Sequence, residues 1–263
     1  MPQNSELIQA GAGNQTVKLF AGLNRSRQIR EKQQAFALEG SRLILDALQT
    51  GVKLRAVLMT EKARMQHGEA LRNAAPETRM LLISEQTAKE IADTEHAQGI
   101  FAVAEMLPER DLKPQAGFRA MLLHNVQDPS NLGAILRTAE ALGTDGLYLY
   151  QCCDLYNPKV IRGSMGAIFR EPICRIRDLD AFFADCKAVG VPTCAAVVDR
   201  DAKHLGSYDF CQGAVVLIGN EGNGLPAEVS DICTERLTIP MSPDSNSLNA
   251  AMAAGLFLWE MAK

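Results

Sequence analysis

The 263-residue chain is 47% hydrophobic, enough to bury a core, and its length fits one large or two modest domains. No apolar run approaches the roughly 18 residues that span a bilayer, and the opening MPQNSELIQAGAGNQT lacks the basic-then-apolar pattern of a signal peptide. Seven cysteines without a C-x-x-C pair and four scattered histidines argue against a zinc site or a disulfide framework, so a reducing, cytoplasmic setting is expected.

Residues 1–14 read as a flexible tail. A basic helix is expected from about Val17 to Gln34, then a strand at Ala35–Glu39. Ser41 can cap the helix SRLILDALQT and Gly51 can end it. RAVLMT (55–60) reads as a strand, Glu61 to about Ala74 as a polar helix, and RMLLIS (79–84) as a strand whose Ser84 caps a short helix. GIFAVAE (99–105) closes this alternating α/β unit. The net charge of −4 argues against a nucleic-acid binder, but between Lys18 and Arg64 ten basic residues face four acids, a local charge of +6. Phosphate binding depends on a local basic face, not on whole-chain charge. The plainer alternative is a solvated helix surface.

LPERDLKP (107–114), with two prolines and four charges, has no core to join and is expected to link a domain at 15–106 to one at 115–263. The second series has strand candidates in FRAMLLHNV, GLYLY, TCAAVVD, AVVLIG and RLTIPM, and a last helix from about Ser247 to Met261. No internal repeat is evident.

Three strand-to-helix junctions in this domain put polar residues and glycines beside apolar runs: HNVQDPSNLGAILRTAEALG (124–143), VVLIGNEGNGL (215–225) and IPMSPDSNSLN (239–249). Parallel α/β sheets present their chemistry at such strand ends. In the first, Asp128-Pro129 favours a turn, Ser130 or Asn131 can cap the helix, and Gly143 can end it. The free N–H groups of that helix start suit an anion. Arg137 and Glu140 share a helical face, and a surface ion pair is their plainer reading. In the second, the glycine order is G-x-x-G-x-G after several strands, which counts against a dinucleotide site. In the third, Ser247 and Asn249 can both be caps, and small residues from Ala250 to Gly255 permit close packing.

In order and content these segments resemble the three motifs of the SpoU (TrmH) family of RNA ribose 2′-O-methyltransferases, of the SPOUT superfamily. More loosely, FALEGSRLILDAL and QGIFAVAE resemble the substrate-binding domain, similar to the ribosomal proteins L7Ae and L30e, that precedes the catalytic domain in many members. The resemblance covers nearly the whole chain. Asn249 is followed by Ala250-Ala251 where many members carry a valine and a small polar residue, a packing variation.

The resemblance implies an L7Ae/L30e-like α/β domain followed by a mostly parallel α/β sheet with a deep trefoil knot. It implies methyl transfer from S-adenosylmethionine to a ribose 2′-hydroxyl in structured RNA, with no metal. Ribosomal RNA is favoured, with transfer RNA or a non-catalytic RNA-binding role as alternatives. Asn131, Arg137, Glu221, Ser247 and Asn249 match the family's catalytic set. Gly219, Asn220, Gly222, Ile239, Met241, Ser247 and Leu248 fall where the family holds its cofactor. The basic segment would offer Arg25, Arg27, Arg30, Lys32 and Arg42 to RNA. The family's arginine has been cast as general base, but a guanidinium stays protonated. Arg137 is therefore better suited to clamp phosphate and stabilise the forming alkoxide. A homodimer is implied, with the arginine of one subunit reaching the pocket of the other.

Overall fold

The computed structural model describes residues 8–242 and 247–263. The chain divides into two compact units, Met1–Pro108 with Tyr156–Arg162, and Glu109–Leu155 with Gly163–Lys263.

The first unit runs β1 (Ile8–Gln9), α1 (Gln15–Arg25), α2 (Arg27–Gln33), β2 (Ala35–Glu39), α3 (Ser41–Gln49), β3 (Leu54–Met59), α4 (Glu61–Ala74), β4 (Arg79–Leu82), α5 (Glu85–Ile91) and β5 (Ile100–Glu105). Its sheet has the order β1-β4-β3-β5-β2, parallel from β1 to β3 and antiparallel from there on. The continuous apolar run of β5 is buried because both faces of the sheet are covered. Phe20 and Leu23 of α1 pack on Phe101 and Val103 in one of its cores.

Three expectations are corrected here. The single basic helix is two, because Ser26 adopts an extended backbone, ends α1 and accepts the Ile29 N–H to start α2. The cap of α3 is Gly40 at φ 97°, while the Ser41 N–H and hydroxyl both bond Gln98 Oε1. The expected tail is structured from Ile8: β1 pairs with β4, Ala10 is buried, and Asn14 caps α1. Residues 1–7 of that expected tail lie outside the described residues.

The second unit contains β6 (Arg119–His124), α6 (Pro129–Leu142), β7 (Gly146–Tyr150), β8 (Ile173–Arg175), α8 (Leu179–Val189), β9 (Thr193–Ala196), β10 (Lys203–His204), β11 (Ala214–Ile218), α9 (Ala227–Ile232), β12 (Glu235–Thr238) and α10 (Ala250–Ala262). Between β7 and β8 the chain forms α7 (Pro158–Gly163), most of which belongs to the first unit. The sheet order is β10-β12-β9-β11-β6-β7-β8, with every described pairing parallel. From β6 the chain builds outward through β7 to β8, then reverses to the other side, where β11 is laid between β6 and β9. That reversal opens a crevice at the carboxyl ends of β6 and β11, where such sheets bind ligands. β8 and β10, of three and two residues, were not expected, being too short to show a period.

Candidate active site

The crevice is built by the three junctions. β6 is followed by Asn125, whose φ of 59° turns the chain sharply toward α6. The helix cap is Asp128, not Ser130 or Asn131: its carboxylate accepts the Ser130 N–H at 2.8 Å, and Pro129 takes the first helical position. Asn131 is thereby freed from capping and sits inside the first turn, 5% exposed.

Across the crevice, Gly219 follows β11. A Cβ there would lie 2.1 Å from the Gly224 carbonyl carbon, so only glycine lets the loop fold back on itself. Asn220 and Gly224 exchange backbone hydrogen bonds of 2.9 and 3.0 Å. The loop delivers Glu221 to the start of α6, where its carboxylate accepts from Asp128 N (2.9 Å), Gln127 N (3.2 Å) and Asn131 Nδ2 (3.0 Å). Thus the anion at this helix start is the protein's own carboxylate. Burial pushes the Glu221 pKa up, but donation from Asn131 and the backbone outweighs it and holds the carboxyl below its ordinary value.

The third junction joins the same chain of contacts. Asn249 Oδ1 caps α10 by accepting from Ala251 N (2.9 Å) and Met252 N (3.2 Å). Backbone N–H groups can only donate, which fixes the orientation of this amide. Its Nδ2 donates to Asn131 Oδ1 at 2.9 Å, so Asn131 Nδ2 faces Glu221. One hydrogen-bonded line, Asn249–Asn131–Glu221, therefore joins the three segments.

These residues line an open cleft of about 560 Å³ with Gln127, Asp128, Ser247, Leu248 and Ala250. That volume suits a small-molecule ligand. Ser247 is exposed and caps nothing among the described residues. Gly219, Gly222, Ile239 and Met241 do not line this cleft. They follow β11 and β12, on either side of β9. Residues 243–246 of the third segment lie outside the described residues. The Asn220 side chain is committed within the protein, which leaves its backbone for any ligand contact. Oδ1 accepts from Gly222 N and Asn223 N, while Nδ2 donates to the Asn125 carbonyl and Glu221, using all four positions.

Arg137 is exposed on α6 and also lies outside the cleft. It stands six residues beyond Asn131, about 9 Å along the helix. The plainer alternative, a surface pair with Glu140, does not form, because Glu140 binds Arg170 instead. Among the described residues Arg137 has no ion pair. Val197 and Val198 follow directly on β9. Because β9 lies between β11 and β12, these residues sit between the two segments singled out for the cofactor, with Val198 66% exposed. The available signal was a strand, TCAAVV, ending in Asp199 much as the other junctions end in polar residues.

In the first unit, Arg30 is removed from the RNA-contact set. It is 3% exposed, and its guanidinium donates to the Leu23 carbonyl at the end of α1. Arg27 is exposed but paired with Glu31 at 2.7 Å. Arg25, Lys32 and Arg42 are exposed.

Residues 119–259 match the SpoU rRNA Methylase family. The chain belongs to that family. Its residues 14–102 match the MRM3-like substrate binding domain, which accounts for the first unit. An uncharacterized tRNA/rRNA methyltransferase of Synechocystis is 31% identical, aligned over 94% of this chain and 90% of its own. The 23S rRNA (guanosine(2553)-2′-O)-methyltransferase RlmP of Bacillus subtilis is 29% identical over 95% of this chain and 97% of its own. The AdoMet-bound rRNA methyltransferase from Sinorhizobium meliloti superposes with a TM-score of 0.86 at 29% identity, covering 97% of both chains. All three residues of the Asn249–Asn131–Glu221 line fall within the segment matched to that family.

Proposed function

We propose that this chain transfers a methyl group from S-adenosylmethionine to a ribose 2′-hydroxyl in structured ribosomal RNA. The observation that carries this reading is the convergence of all three motifs on one cleft through the Asn249–Asn131–Glu221 line. Ribosomal RNA is supported by the activity named for the B. subtilis relative and by the substrate-binding domain.

The sulfonium of S-adenosylmethionine supplies a methyl group with a good leaving group, so the protein's work is to position and activate the hydroxyl. Glu221 is ionised and spent on N–H donors, which makes it an anchor for Asn131 rather than a proton acceptor. Asn131 keeps one N–H and one lone pair free to meet the ribose. Ser247 adds a hydroxyl on the same cleft. Arg137 would clamp a phosphate and stabilise the developing alkoxide.

Arg137 does this across a homodimer in our reading. Met252, Leu256 and Trp259 share one exposed face of α10, with Leu248 just ahead, and such a stripe suits a second copy. Arg137, outside its own chain's cleft, is then available to the partner's. The trefoil knot and a cytoplasmic location belong to the same proposal, supported by family membership and by the seven free cysteines.

Tritium transfer from labelled S-adenosylmethionine to ribosomal and transfer RNA, followed by nucleoside mass spectrometry, tests the activity. Label in a 2′-O-methylnucleoside of ribosomal RNA is expected. Binding of NAD with no calorimetric response to S-adenosylhomocysteine would refute it.

A further inference from the structure

β6 and β7 are parallel neighbours, in register from Ala120↔Gly146 to His124↔Tyr150. Each strand is followed at once by a non-glycine residue in the left-handed region, Asn125 at φ 59° and Gln151 at φ 53°. Such backbone is sparsely populated, and it persists only where surrounding contacts over-determine it. One side chain touches both residues. Gln127 Nε2 donates to Asn125 Oδ1 at 2.6 Å and to the Gln151 carbonyl at 2.7 Å. A backbone carbonyl can only accept, so the orientation of the Gln127 amide is determined.

The contacts continue into a closed ring. The Asn125 carbonyl accepts from Asn220 Nδ2 at 2.9 Å, which also reaches Glu221 Oε2 at 3.3 Å. Glu221 Oε2 in turn accepts the backbone N–H of Gln127 at 3.2 Å. Gln127 thus ties the ends of two strands to the loop that carries Glu221, and Glu221 orients Asn131. Gln127 is exposed at the cleft, so core packing does not account for these contacts. Gln151 lies outside all three motifs, and no motif reading would join it to the site.

We propose that Gln127 is a positioning residue for methyl transfer, a side-chain donor that locks both left-handed strand ends and so holds Glu221 and Asn131 in place. The kinetic part of this proposal rests on the methyltransferase reading above; the geometric part does not. A donor role separates Gln127 from an acceptor facing substrate. Glutamate at this position keeps the shape and the acceptor but, ionised, donates nothing; protonated, it donates one O–H.

The test compares wild type, Gln127→Ala and Gln127→Glu. It measures kcat and KM for S-adenosylmethionine across pH, with bulk ribosomal RNA from cells lacking the protein as acceptor. Amide hydrogen exchange is followed on the same proteins. Both variants are expected to lose kcat by about tenfold or more, since small misplacements of reacting groups cost up to about 10²-fold. KM for the cofactor and the melting temperature should hold, and exchange should rise at residues 125–131, 151–153 and 220–224 alone. Relative to wild type at each pH, Gln127→Glu should recover as its carboxyl gains a proton. If Gln127→Glu stays active while Gln127→Ala does not, Gln127 acts as an acceptor and the donor role is overturned. Full activity in both variants overturns it too, as does loss of kcat matched by a fall in melting temperature. Should wild type methylate no RNA, the methyltransferase reading fails. Exchange then still decides the geometry, and no rise in any of these segments overturns it.

Discussion

Replacing Asn131 with aspartate keeps the shape of the side chain and turns its N–H donor into a carboxylate oxygen aimed at Glu221. The wild-type contact is 3.0 Å long, and Asn131 is 5% exposed. Losing a hydrogen bond to a charged acceptor costs about 1.5–3 kcal/mol. Two carboxylates about 4 Å apart repel by about 1 kcal/mol in water and about 4 kcal/mol near a protein surface. Glu221 is exposed, so the lower half of that range applies. The total is about 3–5 kcal/mol, a drop of roughly 6–20 °C in melting temperature for a domain of this size. The pH dependence follows from the signs. The crowded carboxyl pair has a raised folded pKa, so its penalty is full at neutral pH and fades as pH falls toward the unfolded value of about 4. Wild-type Glu221 has a lowered pKa, so its stabilisation is present above the unfolded value and is lost as pH falls through the folded one. Both effects narrow the gap between variant and wild type in acid. Thermal melts from neutral pH to about pH 4 provide the assay. A gap that stays constant or widens would refute the assigned contact, since neither carboxylate would then be facing the other.

Other outcomes follow from the same geometry. Arg137→Ala should lower turnover by about 10²-fold or more, as loss of a preorganised donor does, with calorimetric affinity for S-adenosylhomocysteine unchanged; near-normal turnover would make Arg137 a surface residue. Co-expressed Arg137→Ala and Asn249→Ala chains should form heterodimers with about half of wild-type activity, one site of two being intact, whereas each homodimer is nearly inactive. Heterodimers as dead as the homodimers would rule out a site shared between subunits. Arg30→Ala should cost about 1–3 kcal/mol of stability and leave the salt dependence of RNA binding unchanged. Arg25→Ala and Lys32→Ala should each flatten that slope by roughly 0.7–1. Equal slopes for all three variants would show that the buried guanidinium is not the distinguishing feature.

Local pattern was enough to place β3, β7 and β11, because their apolar runs have strand length and are bounded by turn residues. It also located Ser84 and Gly143 as caps, since an N-cap acceptor and a left-handed C-cap act within one turn of their own helix. The residue types of the three motifs were likewise legible, and with them the family. Other features were decided only by the folded chain. Sequence left Asn131 as a possible cap; the turn at Asp128 took that role, and contacts from Glu221 and Asn249, 90 and 118 residues away, made Asn131 the centre of the site. Arg30 read as one more surface charge, but the break at Ser26 turned it inward onto the Leu23 carbonyl. Glu140 found Arg170 rather than Arg137. The order of β12, β9 and β11 alone put Val197 and Val198 beside the other loops. The division has one physical cause. Caps and periodicity are energies between near neighbours along the chain, whereas the partners of a polar side chain in a crevice are set by which strand lies beside which.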